Sequence, residues 1–160
     1  MPLPERQRKI LFYTALALSI LCLLFIFSNS LDNGVESDQK SAGVTDVINK
    51  IVHALGFKGD VSHIFVRKLA HFGEFAILSV FVCPTLVFSK KKLSPLLSPP
   101  ICLVCALIDE FLQNFSVGRG SQLSDVGIDT FGAICGTAAF MAVYFLFIAI
   151  AKKANKKSAS

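Results

Sequence analysis

Nine residues of this chain place acids, bases and amide groups at helical spacing in otherwise apolar surroundings. Arg67, His71 and Glu74 stand at i, i+4 and i+7, which is one stripe of a helix. Asp109 reaches Gln113 at i+4, and Glu110 reaches it at i+3. Arg119 follows in a short polar link, and Asp125 and Asp129 are again i, i+4. A charged side chain at the centre of a membrane span costs roughly 2.5–3.5 kcal/mol on insertion scales. A chain that carries this many at matching depth in separate helices is expected to use them together. His71 with Glu74 or Glu110 has the make-up of a general acid–base pair, which makes these three the catalytic candidates. Arg67, Asp109, Gln113, Arg119, Asp125 and Asp129 are the ligand-binding candidates, with the arginines suited to bidentate contacts with phosphate or carboxylate. Five carboxylates facing three basic groups, with Lys68 the third, resist all being ionised at once. No metal-ligand set is assigned from spacing. A cation held by one histidine and many oxygens would be hard, such as Mg, Ca or Mn, and not a structural zinc.

Plainer readings stand beside these. Arg67 and Lys68 can snorkel to headgroups. His71 and Glu74 can be a structural pair, and Arg119 with Asp125 a loop-fixing salt bridge. Adjacent Asp109 and Glu110 are the hardest to explain as packing, because two acids in a span need partners.

The elements that must position these groups are long apolar runs. The chain has 160 residues, 53% hydrophobic and 17% charged, with a mean hydropathy of +0.61; soluble domains carry more charge. Four runs, about 10–28, 69–88, 100–115 and 126–150, are near the length that crosses a ~30 Å hydrocarbon core. The expected fold is all-α: a polytopic membrane protein with four transmembrane helices in a single domain over 1–160. Helix 1 is expected to be a retained span, since Phe27-Ser28-Asn29-Ser30 lacks a small-x-small cleavage site.

Basic residues alternate along the chain. Arg6, Arg8 and Lys9 precede the first run, Lys90, Lys91 and Lys92 join the second to the third, and Lys152, Lys153, Lys156 and Lys157 follow the fourth. The positive-inside rule then puts both termini in the cytoplasm and the polar site outside. The net charge of +5 is thus distributed by topology and gives no nucleic-acid signal. The implied partners are membrane lipids. Cofactors are not identified.

Within the first connection, residues 31–43 are polar and read as flexible. Val44, Val47, Ile48, Ile51, Val52 and Leu55 then recur at helical spacing, predicting an amphipathic helix at about 44–55, capped by Ser41 or Thr45 and closed by Gly56. It is too short to span, so it lies in the interface and either lids the site or merely packs on the bundle. Ser62 is a candidate cap for the second span, and Pro84 a kink within it. Gly132 and Gly136 continue the Asp125–Asp129 stripe and allow close approach of another helix. The five cysteines, Cys22, Cys83, Cys102, Cys105 and Cys135, all fall in apolar runs and read as small hydrophobes.

These residues resemble the VanZ-like family. The matching stretches are Arg67-Lys68-x-x-His71-x-x-Glu74-Phe75, Asp109-Glu110-x-x-Gln113-x-Phe115-x-x-Gly118-Arg119 and Asp125-Val126-x-x-Asp129-Thr130-x-Gly132, with Phe27-Ser28-Asn29-Ser30 similar to the segment that ends the family's first helix. The resemblance implies a small multi-pass protein of the bacterial plasma membrane with a role at the cell envelope. The founding members are linked to resistance to teicoplanin and related lipoglycopeptides. Three functions follow as expectations: lowered lipoglycopeptide susceptibility through an outer-face polar site, an intramembrane hydrolase or transferase acting on a lipid-linked or phosphorylated envelope substrate, or a structural subunit of an envelope complex. A transporter is disfavoured, because the acids cluster at one face and not at the midplane.

Overall fold

The computed structural model describes residues 4–118 and 120–158, with side chains described to residue 154. Every regular element among them is helical. The order is α1 (Glu5–Ser30), α2 (Gly34–Ala54), α3 (His63–Phe88), a single 3-10 turn (Pro95–Leu97), α4 (Ser98–Gln113) and α5 (Leu123–Ser158). Helices α1, α3 and α5, and the 3-10 turn joined to α4, are each long and apolar enough to cross a membrane. Their burial has the pattern of lipid-facing helices. Leu21, Leu24, Ile77, Val104, Leu107, Phe131, Val143 and Phe147 are exposed around the bundle, an apolar girdle that water would penalise and acyl chains accept.

The core between the helices is small: Ile26, Phe75, Leu78, Cys102, Ala106, Val126 and Ala133. Small residues let the helices approach. A Cβ on Gly132 would collide with the Phe72 carbonyl of α3, and one on Gly136 with the Ala76 carbonyl and Ser79 Oγ. The Gly-x-x-x-Gly stripe therefore seats α5 on the α3 backbone, and α3 with α5 form the most extensive helix pair. The two run parallel, whereas α1 and α4 run the other way. Arg8 Nη1 donates to the Phe88 carbonyl at 3.2 Å, joining the start of α1 to the end of α3. Ser98 Oγ donates to the Ser79 carbonyl at 3.3 Å, joining α4 to α3. In-span hydroxyls are satisfied within their own helices: Ser19 by Ala15, Thr85 by Phe81 and Thr130 by Val126, as an anhydrous surrounding demands.

Local expectations hold at several points. The Ser62 side chain caps α3 by accepting from Phe65 N–H. Gly56, at φ +88°, closes α2: its N–H reaches the His53 carbonyl and Phe57 N–H the Val52 carbonyl, a Schellman arrangement. The third span, by contrast, starts at Ser98 and not at residue 100, with Pro99 and Pro100 in the first turn of α4, where missing N–H groups cost nothing.

Another expectation fails. Residues 31–43 do not form a flexible link, because α2 begins at Gly34. Its cap is the Asn33 side chain, accepting from Glu36 N–H at 2.8 Å, and neither Ser41 nor Thr45. Lys40 on the next turn pairs with Asp32 at 2.6 Å and with Glu36 at 3.8 Å. Gly34 N–H also donates to the Val117 carbonyl at 2.9 Å, and a Cβ on Gly34 would crowd the Gly118 carbonyl. Polar composition hid a helix that is held by its cap, its charge pairs and a glycine–glycine contact.

Candidate functional site

The ends of α1, α3, α4 and α5 that lie away from the lysine-rich link at residues 90–92 carry the candidate residues. Helix α3 supplies Arg67, His71 and Glu74, all three lining one cavity of about 350 Å³ together with Phe25, Asn29 and Ser30 of α1. Asp32 and the α2 residues Ser37, Lys40 and Ser41 form its opposite wall. Further along α2, Val44, Val47, Ile51 and Leu55 are all exposed.

Beneath the cavity lies a buried acidic layer. Asp109, Asp129 and Gln113 have no exposed surface, and Glu110, Asp125 and His71 are also buried. Asp109 is fixed from two helices. Ser30 Oγ donates to its Oδ1, and Gln113 Nε2 donates to its Oδ2 at 3.1 Å. The same amide donates to Glu110 Oε1 at 3.2 Å, while Gln122 N–H donates to Glu110 Oε2 at 2.7 Å. Ser116 Oγ closes the layer on the Ser30 carbonyl at 2.9 Å.

Helices α3 and α5 meet here through two side-chain contacts. Lys68 Nζ lies 3.1 Å from Asp125 Oδ1, so Lys68 pairs inside the protein. His71 Nδ1 lies 3.6 Å from Asp129 Oδ1, outside hydrogen-bond range. Helix α3 also meets α1 and α2: Asn29 Nδ2 donates to Glu74 Oε1 at 3.0 Å, and Arg67 approaches Asp38 at 3.9 Å.

The structure therefore brings together His71, Asp109, Gln113 and Asp129, with Glu110 bonded to Gln113 at the layer's edge. Glu74 and Arg67 face the cavity above. Asp125 stands at the side, along a second, smaller cavity that Arg67 and Lys68 also line. The histidine's nearest buried acid contact is Asp129, whereas sequence spacing pointed to Glu74 or Glu110. Arg119 lies outside the described residues. Sequence reasoning passed over Ser37, Lys40 and Gln122. A signal for the first two existed in Asn33-Gly34-Val35-Glu36, a cap residue followed three positions on by glutamate. The Gln122 contact runs through its backbone N–H, which no side-chain pattern reveals.

Four helices long and apolar enough to span a membrane, packed round a small apolar core with acids and a histidine buried at one end, define a multi-pass membrane protein. The profile of the VanZ/LLP1 family matches residues 12–148, and the chain belongs to that family. No curated protein and no solved structure matches it.

Proposed function

We propose that the protein lies in the bacterial plasma membrane with both termini in the cytoplasm, and lowers susceptibility to teicoplanin-type lipoglycopeptides by binding at its outer face. The observation that carries this reading is the cavity between α1, α2 and α3, whose wall mixes Phe25 and Ala70 with Asn29, Lys40, Arg67, His71 and Glu74. Such a surface fits an amphiphile with an acyl chain and polar, ionisable groups: apolar residues take the chain and the fixed donors and charges take the head. The alternation of basic segments supports the outward orientation. The exposed apolar stripe of α2 suits a helix lying in the outer interface over the site.

The test is teicoplanin susceptibility of a sensitive host expressing the intact protein, Glu110→Gln or Asp125→Asn, at matched membrane abundance. The expected result is protection by the intact protein and its loss in both variants. Absence of protection by an abundant intact protein would reject the reading.

A second reading is favoured by the buried His71–Asp129 contact. A histidine close to a buried carboxylate, beside a cavity lined by Lys40, Arg67 and Glu74, would also serve an intramembrane hydrolase or transferase acting on a lipid-linked or phosphorylated substrate. The two readings separate on Glu110→Gln and His71→Gln. An enzyme keeps ligand affinity and loses turnover, whereas a binding protein loses affinity.

A further inference from the structure

We infer that the acidic layer holds one hard divalent cation of the Mg²⁺ or Mn²⁺ class, with His71, Asp109 and Asp129 as its protein ligands. One ligand atom from each residue lies within 4.8 Å of the others, and all three residues are buried. They come from three different helices, α3, α4 and α5, so packing of the bundle creates the set.

Distances favour a shared ion over direct bonding. An octahedral cation at about 2.1 Å from each ligand keeps adjacent ligand atoms about 3.0 Å apart and opposite ones about 4.2 Å apart. His71 Nδ1 and Asp129 Oδ1, 3.6 Å apart, are too distant for a hydrogen bond and fall between these two spacings, within reach of one ion.

Two buried acceptors point the same way. Asp129 has no exposed surface, and neither of its carboxylate oxygens has a hydrogen-bond partner. Among the described residues, no lysine or arginine lies within ion-pair distance of it. A buried carboxylate left in this state is costly. Gln113, also without exposed surface, provides the independent observation. Its Nε2 must face the two carboxylates Asp109 and Glu110, because both accept. Its Oε1 is thereby left without a partner, beside the aspartate that would bind the ion. A cation answers both: it neutralises Asp129 and offers the amide oxygen a fourth ligand position or a metal-bound water.

The surrounding bonds are those a metal site uses to aim its ligands. Ser30 and Gln113 hold Asp109 from two sides. One nitrogen with two carboxylates and an amide oxygen is a hard, oxygen-rich donor set, suited to magnesium or manganese. His71 also lines the cavity above, so open positions on the ion would face an oxygen-donor ligand there.

The inference rests on the polar site of the proposed function but not on its antibiotic ligand, and its test uses no antibiotic. The full-length protein is purified in detergent, stripped with EDTA and titrated with Mn²⁺, free Mn²⁺ being read by electron paramagnetic resonance. Intact protein and Asp60→Asn, an exposed acid outside the site, should bind one Mn²⁺ per chain with the same affinity. Asp129→Asn should bind at least tenfold more weakly at unchanged helix content and elution volume. A second readout needs no substitution within the site. In a protein carrying His53→Gln and His63→Gln, bound Mn²⁺ should show ¹⁴N modulation from the remaining histidine. Intact protein without saturable Mn²⁺, an Asp129→Asn variant that binds equally well, or a bound ion without nitrogen coupling would each overturn the site. A chain that confers antibiotic protection yet binds no Mn²⁺ would reject the metal and leave the proposed function standing.

Discussion

The buried acids do different work, and burial decides how much each is worth. Asp109 accepts from Ser30 and Gln113 with no solvent access. Replacing it by leucine removes two buried hydrogen bonds, each worth about 0.5–1.5 kcal/mol net, although Ser30 Oγ keeps the Ile26 carbonyl and Gln113 Nε2 keeps Glu110 Oε1. Asp109→Leu should therefore lower the midpoint of thermal unfolding in detergent substantially. Lys68 pairs with Asp125 at a similar distance, but its side chain is 36% exposed. Water and headgroups can take over its charge, and Asp125, though buried, keeps Ser124 Oγ as a donor at 3.1 Å, so Lys68→Met should cost about 1 kcal/mol. Equal losses for the two variants would show that the acidic layer is solvated and not closed. The stripe Arg67–His71–Glu74 was legible from spacing alone, and all three do line one cavity. That His71 stands against Asp129 was not legible, because the two are on different helices.

At the scale of elements, the α3–α5 contact sets the depth at which His71 and Asp129 meet. It depends on Gly132 and Gly136, where an added methyl would strike the backbone of α3. Gly136→Ala should push the helices apart and destabilise the fold by about 1–3 kcal/mol. Gly73→Ala and Gly127→Ala, whose added methyls meet nothing within 4 Å, should leave unfolding unchanged or slightly improved through higher helix propensity. Comparable destabilisation at all three positions would place the contact elsewhere. The glycine spacing announced this seam in the sequence. Helix α2 shows the opposite case. Its apolar half was visible as periodicity, but its first ten residues lack an apolar stripe. Their helicity comes from the Asn33 cap, the Lys40 pairs and the approach of Gly34 to Gly118.

At the scale of the whole molecule, the proposed orientation rests on charge. The basic segments Arg6–Lys9 and 90–92 flank the bundle end opposite the polar site, where Arg8 meets Phe88. In a cysteine-free background, Ser37→Cys should react with a membrane-impermeant maleimide from outside intact cells, and Lys91→Cys only after permeabilisation. The reverse pattern would turn the site towards the cytoplasm and remove the case for an extracellular ligand. The native cysteines can be replaced for this purpose, since Cys83 and Cys102 pack as small buried groups and none of the five is in a disulfide.

By itself, the sequence determined the class and the number of spans, because hydrophobic length against bilayer thickness is a one-dimensional property. It also determined which residue stripes share a helix face, because 3.6-residue periodicity is local. Tertiary structure decided which stripes face one another. Only packing of α3, α4 and α5 brings His71, Asp109 and Asp129 within one coordination sphere's reach. Only the fold of α2 across the α1–α3 groove encloses a cavity over them. Contacts between helices depend on rotation and relative depth, which are set by glycine seams and buried hydrogen bonds distributed along the whole chain.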